Sequence, residues 1–405
     1  MRMYNVEFGD AFLLYGNGEN LLVDLGSIQN SFCFDSVRDS IRGECVNGKL
    51  SLLLTHFHKD HWSGLHNQRK GHQLPYLNMV YLPDIFQMRH YTHLDVIMKS
   101  LLGDFLELES VVLQQKPRFS LADLLREVLP GLSKRKIHFL HSGDVFEMGG
   151  RSYEVLWPKF DKKTVVGKHN KALAAFLERL EEKLAVDGAE NKLWDTLEAM
   201  ANALLRDFAR LLERQFSPII QAEQRAYEDL YDQAQRLSEI LAEDLQWDEG
   251  ELRRKVQYYA ERLGKDWHQV SLVFQDRIEE QGKECENIGV LMTGDITKSI
   301  LTKLANGKLG TPKLHESYAV IKAPHHGTES HFCAILPSCR YFCISNGEGN
   351  RHYSKITEQY EHVYGCRGKK TDIRCTNPRC EFLETKKCCP YFHTRSTEDF
   401  YDICW

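Results

Sequence analysis

Long apolar runs are missing from this sequence. No stretch approaches the roughly 18 apolar residues that a membrane-spanning helix needs, so no membrane association is expected. The opening segment, MRMYNVEFGDAFLLYG, has neither the continuous apolar core nor the small-residue cleavage site of a secretory signal. A cytoplasmic location is expected on that ground. Excess positive charge is missing too. The formal net charge is −5, so the whole molecule carries no nucleic-acid-binding signature, although net charge leaves room for a local basic groove. In a reducing compartment the twelve cysteines are expected to be thiols or metal ligands rather than a disulfide framework. What is present suits a globular chain with a real core: 405 residues, 42% hydrophobic and 27% charged.

Residues 1–162 read as short strands between turns, with a few helices. FLLYG and LLVDLG are apolar runs closed by glycine, with GNGEN between them as a hairpin turn. KLSLLLTH and LNMVYLPD are further buried-strand candidates, and GDVFEMGGRSYEVLWP reads as two strands joined at Gly149–Gly150. DSVRDSIR and LADLLREVL read as helices. The pattern changes near Lys163, after which strand signal almost vanishes. Leu193, Leu197, Met200, Leu204, Phe208 and Leu211 recur at spacings of three and four, the apolar face of a long helix. Pro218 interrupts this periodicity, and it then resumes. Segment 163–266 is therefore expected to be a helical insertion. Strand character returns over 267–365 in VSLVFQD, NIGVLMTGD, YAVIKAPHHG and CRYFCISNG. The expected fold is α/β, split by the insertion.

The most informative stretch is LLLTHFHKDHWSGL, residues 52–65. His56, His58, Asp60 and His61 follow a buried-strand candidate directly. A strand end delivers side chains to a loop, and the loop can turn several of them toward one point. Imidazole and carboxylate suit Zn²⁺ and similar divalent ions. Two other strand ends carry the same residue types. VLMTGDI ends on Asp295, with Gly294 allowing close backbone approach, and IKAPHHGTESH supplies His325 and His326.

Asp24 in LLVDLG, the T-H-x-H-x-D-H pattern at 55–61, TGD at 293–295 and a late histidine occur in an order that resembles metallo-β-lactamase-fold hydrolases. VEFGDAFLL, LLVDLGS, EVLWP, SLVF, LMTGD, IKAPHHGT and ISNGEGNRH are similar, in order, to the hydrolase domain of the DNA-uptake channel protein ComEC and to phosphorylcholine esterases. The resemblance covers roughly 1–160 and 268–365 and implies an αββα sandwich with two divalent metal ions at one edge, Zn²⁺ first and Mn²⁺ as the alternative. It assigns His56 and His58 to the first metal, Asp60 and His61 to the second, and Asp295 to both. It assigns His326 to the second metal and His325 to substrate or transition state, so that Asp60 and His325 are the residues nearest the chemistry. Asp24 would fix the tautomer of a ligand histidine. One position departs from the pattern. The wider family supplies a mid-chain histidine to the first metal, and Trp157 stands there; His141 and His268 are the substitutes at hand. Without either, water would complete that shell and loosen the metal.

Such a site implies hydrolysis by a shared hydroxide, and the closer resemblance points to a phosphodiester of DNA or RNA. His325 could then donate a hydrogen bond to the substrate or protonate the leaving group. Asn350, Arg351 and His352 are candidate substrate contacts, and SKRKIH, CRGKK and ETKKCC are candidate phosphate tracks. A second reading is a small-molecule hydrolase acting on a lactone, thioester or cyclic nucleotide. A third is a partner-activated effector, for example in defence against phage, with the helical insertion as the surface for a protein partner or for self-association. Residues 366–405 form a cysteine-rich tail in which Cys366, Cys375, Cys380, Cys388, Cys389 and His393 are candidate ligands of a structural Zn²⁺.

Overall fold

The computed structural model describes residues 1–29, 31–46, 48–65, 70–84, 137–159, 267–277, 289–347, 359–360, 371–376 and 400–403. Two compact units are distinguished: Met1–Asp84 with His138–Lys159 and Trp267–Trp405, and Ile85–Ile137 with Phe160–Asp266. Apart from Ile137 the second unit lies outside the described residues, and with it the expected helical segment 163–266.

The described residues are α/β, built on two mixed seven-stranded sheets. The first sheet runs β14 (Phe400–Asp402), β1 (Arg2–Tyr4), β2 (Ala11–Leu14), β3 (Glu19–Leu25), β4 (Lys49–Leu53), β5 (Leu77–Pro83) and β6 (Ile137–Leu140). The second runs β13 (Asp372–Cys375), β12 (Ser338–Ile344), β11 (Ser317–Lys322), β10 (Val290–Met292), β9 (Val273–Asp276), β8 (Arg151–Trp157) and β7 (Val145–Met148). The expected hairpins are present: β2 pairs antiparallel with β3 across the GNGEN turn, and β7 with β8 across Gly149–Gly150. β3, β4 and β5 are mutually parallel, as are β10 through β13.

Alternation along the strands sets the layers. Met3, Phe12, Leu14, Leu21, Val23 and Leu53 of the first sheet share one buried cluster with Tyr153, Val155, Phe274, Met292 and Val320 of the second. The two sheets therefore face each other through apolar side chains, each contributing about 1.5–3 kcal/mol when fully buried. Arg2 and Tyr4 alternate to the opposite face and meet helix α1 (Asp35–Glu44). There the Arg2 guanidinium donates to Ser40 Oγ at 3.1 Å and pairs with Glu44 at 2.9 Å. On the far face of the second sheet, Ile300, Leu301 and Leu304 of a helix at Lys298–Ala305 pack on Val273, Leu291, Ile321 and Phe342. The layer order is helix, sheet, sheet, helix.

The described pieces of the expected tail are edge strands. β13 borders the second sheet and β14 borders the first. No described helix is long and apolar enough to cross a membrane.

Candidate metal centre

The parallel strands of both sheets point their carboxyl ends at one edge, where ligands gather in α/β sheets. Asp24 lies at the end of β3, residues 54–61 follow β4, Asp295 follows β10, His325 and His326 follow β11, and Ser345 follows β12. Backbone bonds tie these exits together across the sandwich. Leu272 N–H donates to the Thr55 carbonyl at 2.8 Å, and the Ser345 hydroxyl donates to the Gly9 carbonyl. Gly26 lets the 58–62 turn, with its helix α2 (Lys59–Trp62), lie directly against the β3 exit. A Cβ on Gly26 would sit 2.4 Å from the backbone of Asp60 and His61. Gly294 has φ +49°, and a Cβ there would meet Ser271 Oγ at 2.3 Å. Asp24, His325 and His326 hold φ of 58°, 46° and 56° without being glycine. That strain costs about 1–3 kcal/mol per residue and collects where structure serves a site.

One cluster contains Asp60, His61, Asp295 and His326, whose ligand atoms lie within 4.8 Å of one another. His61 Nε2 is 3.2 Å from Asp295 Oδ2, and His326 Nε2 is 3.2 Å from Asp60 Oδ2 and 3.5 Å from Asp295 Oδ2. Two ligands on one tetrahedral zinc stand about 3.3 Å apart, given Zn–N and Zn–O bonds of about 2.0–2.1 Å. The donors fit that spacing. Their ring protons fit as well. His326 Nδ1 is 2.9 Å from the Ser345 carbonyl, which can only accept, so the proton sits on Nδ1 and the Nε2 lone pair faces the cluster. His61 Nδ1 is 2.8 Å from Asp24 Oδ2, which turns its Nε2 the same way. Asp24 also accepts from Thr55 N–H and Thr55 Oγ1, both at 2.7 Å. Burial raises its pKa, while Thr55 N–H, the Thr55 hydroxyl and His61 Nδ1 all turn toward its carboxylate oxygens.

A second cluster contains His56, His58 and His268. His56 Nε2 lies 2.9 Å from His58 Nδ1, and the His58 and His268 rings are 4.5 Å apart. His268 Nε2 is 3.9 Å from Asp295 Oδ2, so this cluster adjoins the first through one carboxylate oxygen. Trp157 is buried, and its Nε1–H donates to the Gln269 carbonyl at 2.6 Å, holding the turn Trp267–Val270 that carries His268. His268, one of the two substitutes at hand, thus stands with His56 and His58, whereas no such grouping includes His141 among the described residues. His141 stands apart, 3.0 Å from Asp144 and 3.7 Å from Asp84, and belongs to none of the clusters among the described residues.

Three residues at the centre went unnamed in the sequence reading. Lys322, the last residue of β11, is buried, and its ammonium pairs with Asp10, with Asp295 Oδ1 at 3.1 Å and with the Gly294 carbonyl at 2.8 Å. Asp10 is also buried, 3.3 Å from His326 Nδ1. Both ionisable groups adjoin apolar runs, AFLL and YAVI, where a charge needs a buried partner, and that was the available signal. The third is His331, stacked on His325 with centroids 4.0 Å apart.

His325 presents a particular tautomer. The Thr328 hydroxyl donates its one hydrogen to the His325 carbonyl at 3.0 Å, so at 2.6 Å it accepts from His325 Nδ1–H. The Nε2 lone pair is left facing Asp295 Oδ2 at 3.9 Å. Burial, only partly offset by Asp295, pushes the His325 pKa down to about 3. The ring is held neutral, with Nε2 toward the centre.

The electrostatics divide the histidines. Burial lowers the pKa of His61 and His326, but Asp295 and the other carboxylates outweigh it, placing His61 well above its usual value and His326 at about 10. His56 and His268 are held well below theirs by burial and by neighbouring imidazoles. Asp10, Asp60 and Asp295 are drawn below the usual carboxylate range, because adjacent cations outweigh burial. Protons on His61 and His326 thus stand where a cation would be held. With the imidazoles neutral, the four carboxylates Asp10, Asp24, Asp60 and Asp295 against the one ammonium of Lys322 leave three negative charges.

Asn350, Arg351 and His352 lie outside the described residues, as do Cys366, Cys380, Cys388, Cys389 and His393. So do the basic segments, apart from 137–138. Cys375 is described; it lies on β13, buried in the apolar cluster beneath the 298–305 helix. A scan of protein-family models and a comparison with curated proteins both return no match.

Proposed function

We propose that the chain is a two-metal phosphodiesterase of the metallo-β-lactamase type, cleaving DNA or RNA. The observation that carries this reading is the pair of clusters meeting at Asp295 Oδ2, with donor separations of zinc size and lone pairs turned inward. The layer order and the strand exits that bear the ligands support it further. Charge favours the substrate class. Two divalent ions would convert three negative charges into one positive charge, which suits a singly charged phosphodiester group. When bound, such ions supply a water of lowered pKa and neutralise charge on the attacked group.

The chain's own residues would do the rest. Lys322 occupies Asp295 Oδ1 and reserves Oδ2 for metal. Asp24 and the Ser345 carbonyl fix the tautomers of His61 and His326. His325 has its Nε2 facing inward and would serve as the acid: once it holds a proton, its lowered pKa favours handing that proton to the leaving oxygen.

The test is metal analysis of purified protein, together with Mn²⁺- and Zn²⁺-dependent assays on plasmid, single-stranded DNA, RNA and bis-(p-nitrophenyl) phosphate. Asp60→Ala and His61→Ala should abolish cleavage. Metal-loaded protein that leaves every phosphodiester intact but opens lactones or thioesters would overturn the substrate assignment.

A further inference from the structure

The motif HHGTESH carries a histidine that neither metal cluster uses. A short turn at Glu329–His331 brings His331 back over His325, with the rings stacked at 4.0 Å and 28°. The His268 ring lies edge-on to both, 4.5 Å from His325 and 5.3 Å from His331. One ligand nitrogen from each of the three falls within 4.8 Å of the others. Two imidazolium ions stacked this closely would repel, so the geometry suits neutral rings. His325 then has its lone pair on Nε2, because Nδ1–H is spent on Thr328. His331 Nδ1 is engaged by Ser330 Oγ at 2.8 Å, which leaves its Nε2 as the second ring nitrogen.

Part of this trio reaches solvent, as Asp60 does in the inner centre, while His331 is buried beneath His325. His56, His61, His326 and Asp295 have no exposed surface, whereas the His268 and His325 side chains are 15% and 14% exposed. Three imidazoles with a fourth position open to water form a well-suited zinc set. We propose that His268, His325 and His331 form a third divalent-cation site beside the inner centre, competing with His56 and His58 for His268. Each imidazole in its neutral form offers a single lone pair, so His268 serves one cation at a time. A cation in the outer site takes the His325 lone pair as well. Excess metal would therefore withdraw both His268 and His325 from the inner centre. This inference goes beyond the proposed hydrolase and does not depend on its substrate.

The experiment titrates chelator-stripped, full-length protein with Co²⁺ and Zn²⁺, following heat, visible absorption and bound metal after gel filtration. Wild type is expected to take up one equivalent, weaker than the others, without a sulfur-to-cobalt charge-transfer band. His331→Gln should lose that equivalent alone, and His331→Asn serves as a second variant, each checked for fold by circular dichroism. The proposal is overturned if wild type shows no such weak equivalent, or if a folded His331 variant retains it. His61→Ala separates the two claims. It should lose tight binding and keep the weak equivalent, whereas unchanged tight binding would count against the inner two-metal reading instead.

Discussion

Metal-free protein should lose stability as the pH rises from about 7 to about 8.5. His61 and His326 drive the effect, since both pKa values lie above the usual 6.5, that of His326 at about 10. A histidine with a higher pKa folded than unfolded gives its full stabilisation below the unfolded value. It loses that stabilisation as the pH climbs through the folded value. Within the window His326 costs about 1.4 kcal/mol per pH unit, roughly 2 kcal/mol in all, and His61 acts in the same direction. Other centre groups leave the slope alone. Asp10, Asp60 and Asp295 are ionised both folded and unfolded. His56, His268, His325 and His331 have lowered values and are neutral in the folded state throughout. Lys322, with its pKa raised by Asp10 and Asp295 against burial, keeps its proton in both states. Bound divalent ions displace the two protons, so metal-loaded protein should hold its stability across the window and weaken toward acid instead. Urea denaturation at several pH values, with chelator or with Zn²⁺, measures both curves. His326→Gln should flatten the metal-free slope clearly. A metal-free curve that is flat or rising would refute the reasoning.

Further outcomes follow from single contacts. Lys322→Met leaves Asp10 and Asp295 buried without their cation and should destabilise the metal-free protein by about 3–5 kcal/mol. Thermal denaturation checks this, and an unchanged midpoint would contradict the ion-pair assignment. Asp24→Asn places an amide against His61 Nδ1 and should weaken tight metal binding about 10–100-fold, as seen in competition with a chelator. Trp157→Phe removes the donor to the Gln269 carbonyl and frees the turn that carries His268. It should weaken one inner metal while Asp24→Asn weakens the other, and differential Co²⁺ spectra would separate the two.

Much of this centre was legible because its residues cluster in sequence behind apolar strands. His56, His58, Asp60 and His61 fall within six positions, a density that few other roles explain. Asp295 and His326 were legible through their neighbouring strands and glycines. Asp10 and Lys322 were not singled out, since a lone acid and a lone lysine look like surface residues until the opposing sheet is placed over them. His268 was weighed only as a substitute, because its position depends on an indole–carbonyl bond from Trp157, distant in sequence. The short strands β1, β6, β13 and β14 carry too few residues for a period-two signal and exist by pairing with longer neighbours.

Lys322 shows how closely the chemistry depends on strand register. Along β11, Ile321 enters the cluster beneath the 298–305 helix and Val320 enters the cluster between the sheets. Lys322 alternates back to the Val320 side, at the open edge, where Asp10 of the first sheet and Asp295 of the second both reach it. Its pairing opposite Cys343 on β12 holds that position. A slip of one residue would turn the ammonium to the outer face and send Ile321 toward two buried carboxylates. Asp295 would then be free to rotate, and either oxygen could face the histidines. With Lys322 in place, Oδ2 alone stands 3.2 Å from His61, 3.5 Å from His326 and 3.9 Å from both His268 and His325. One buried lysine thus selects the oxygen that joins the clusters, and the joint requires both sheets in register.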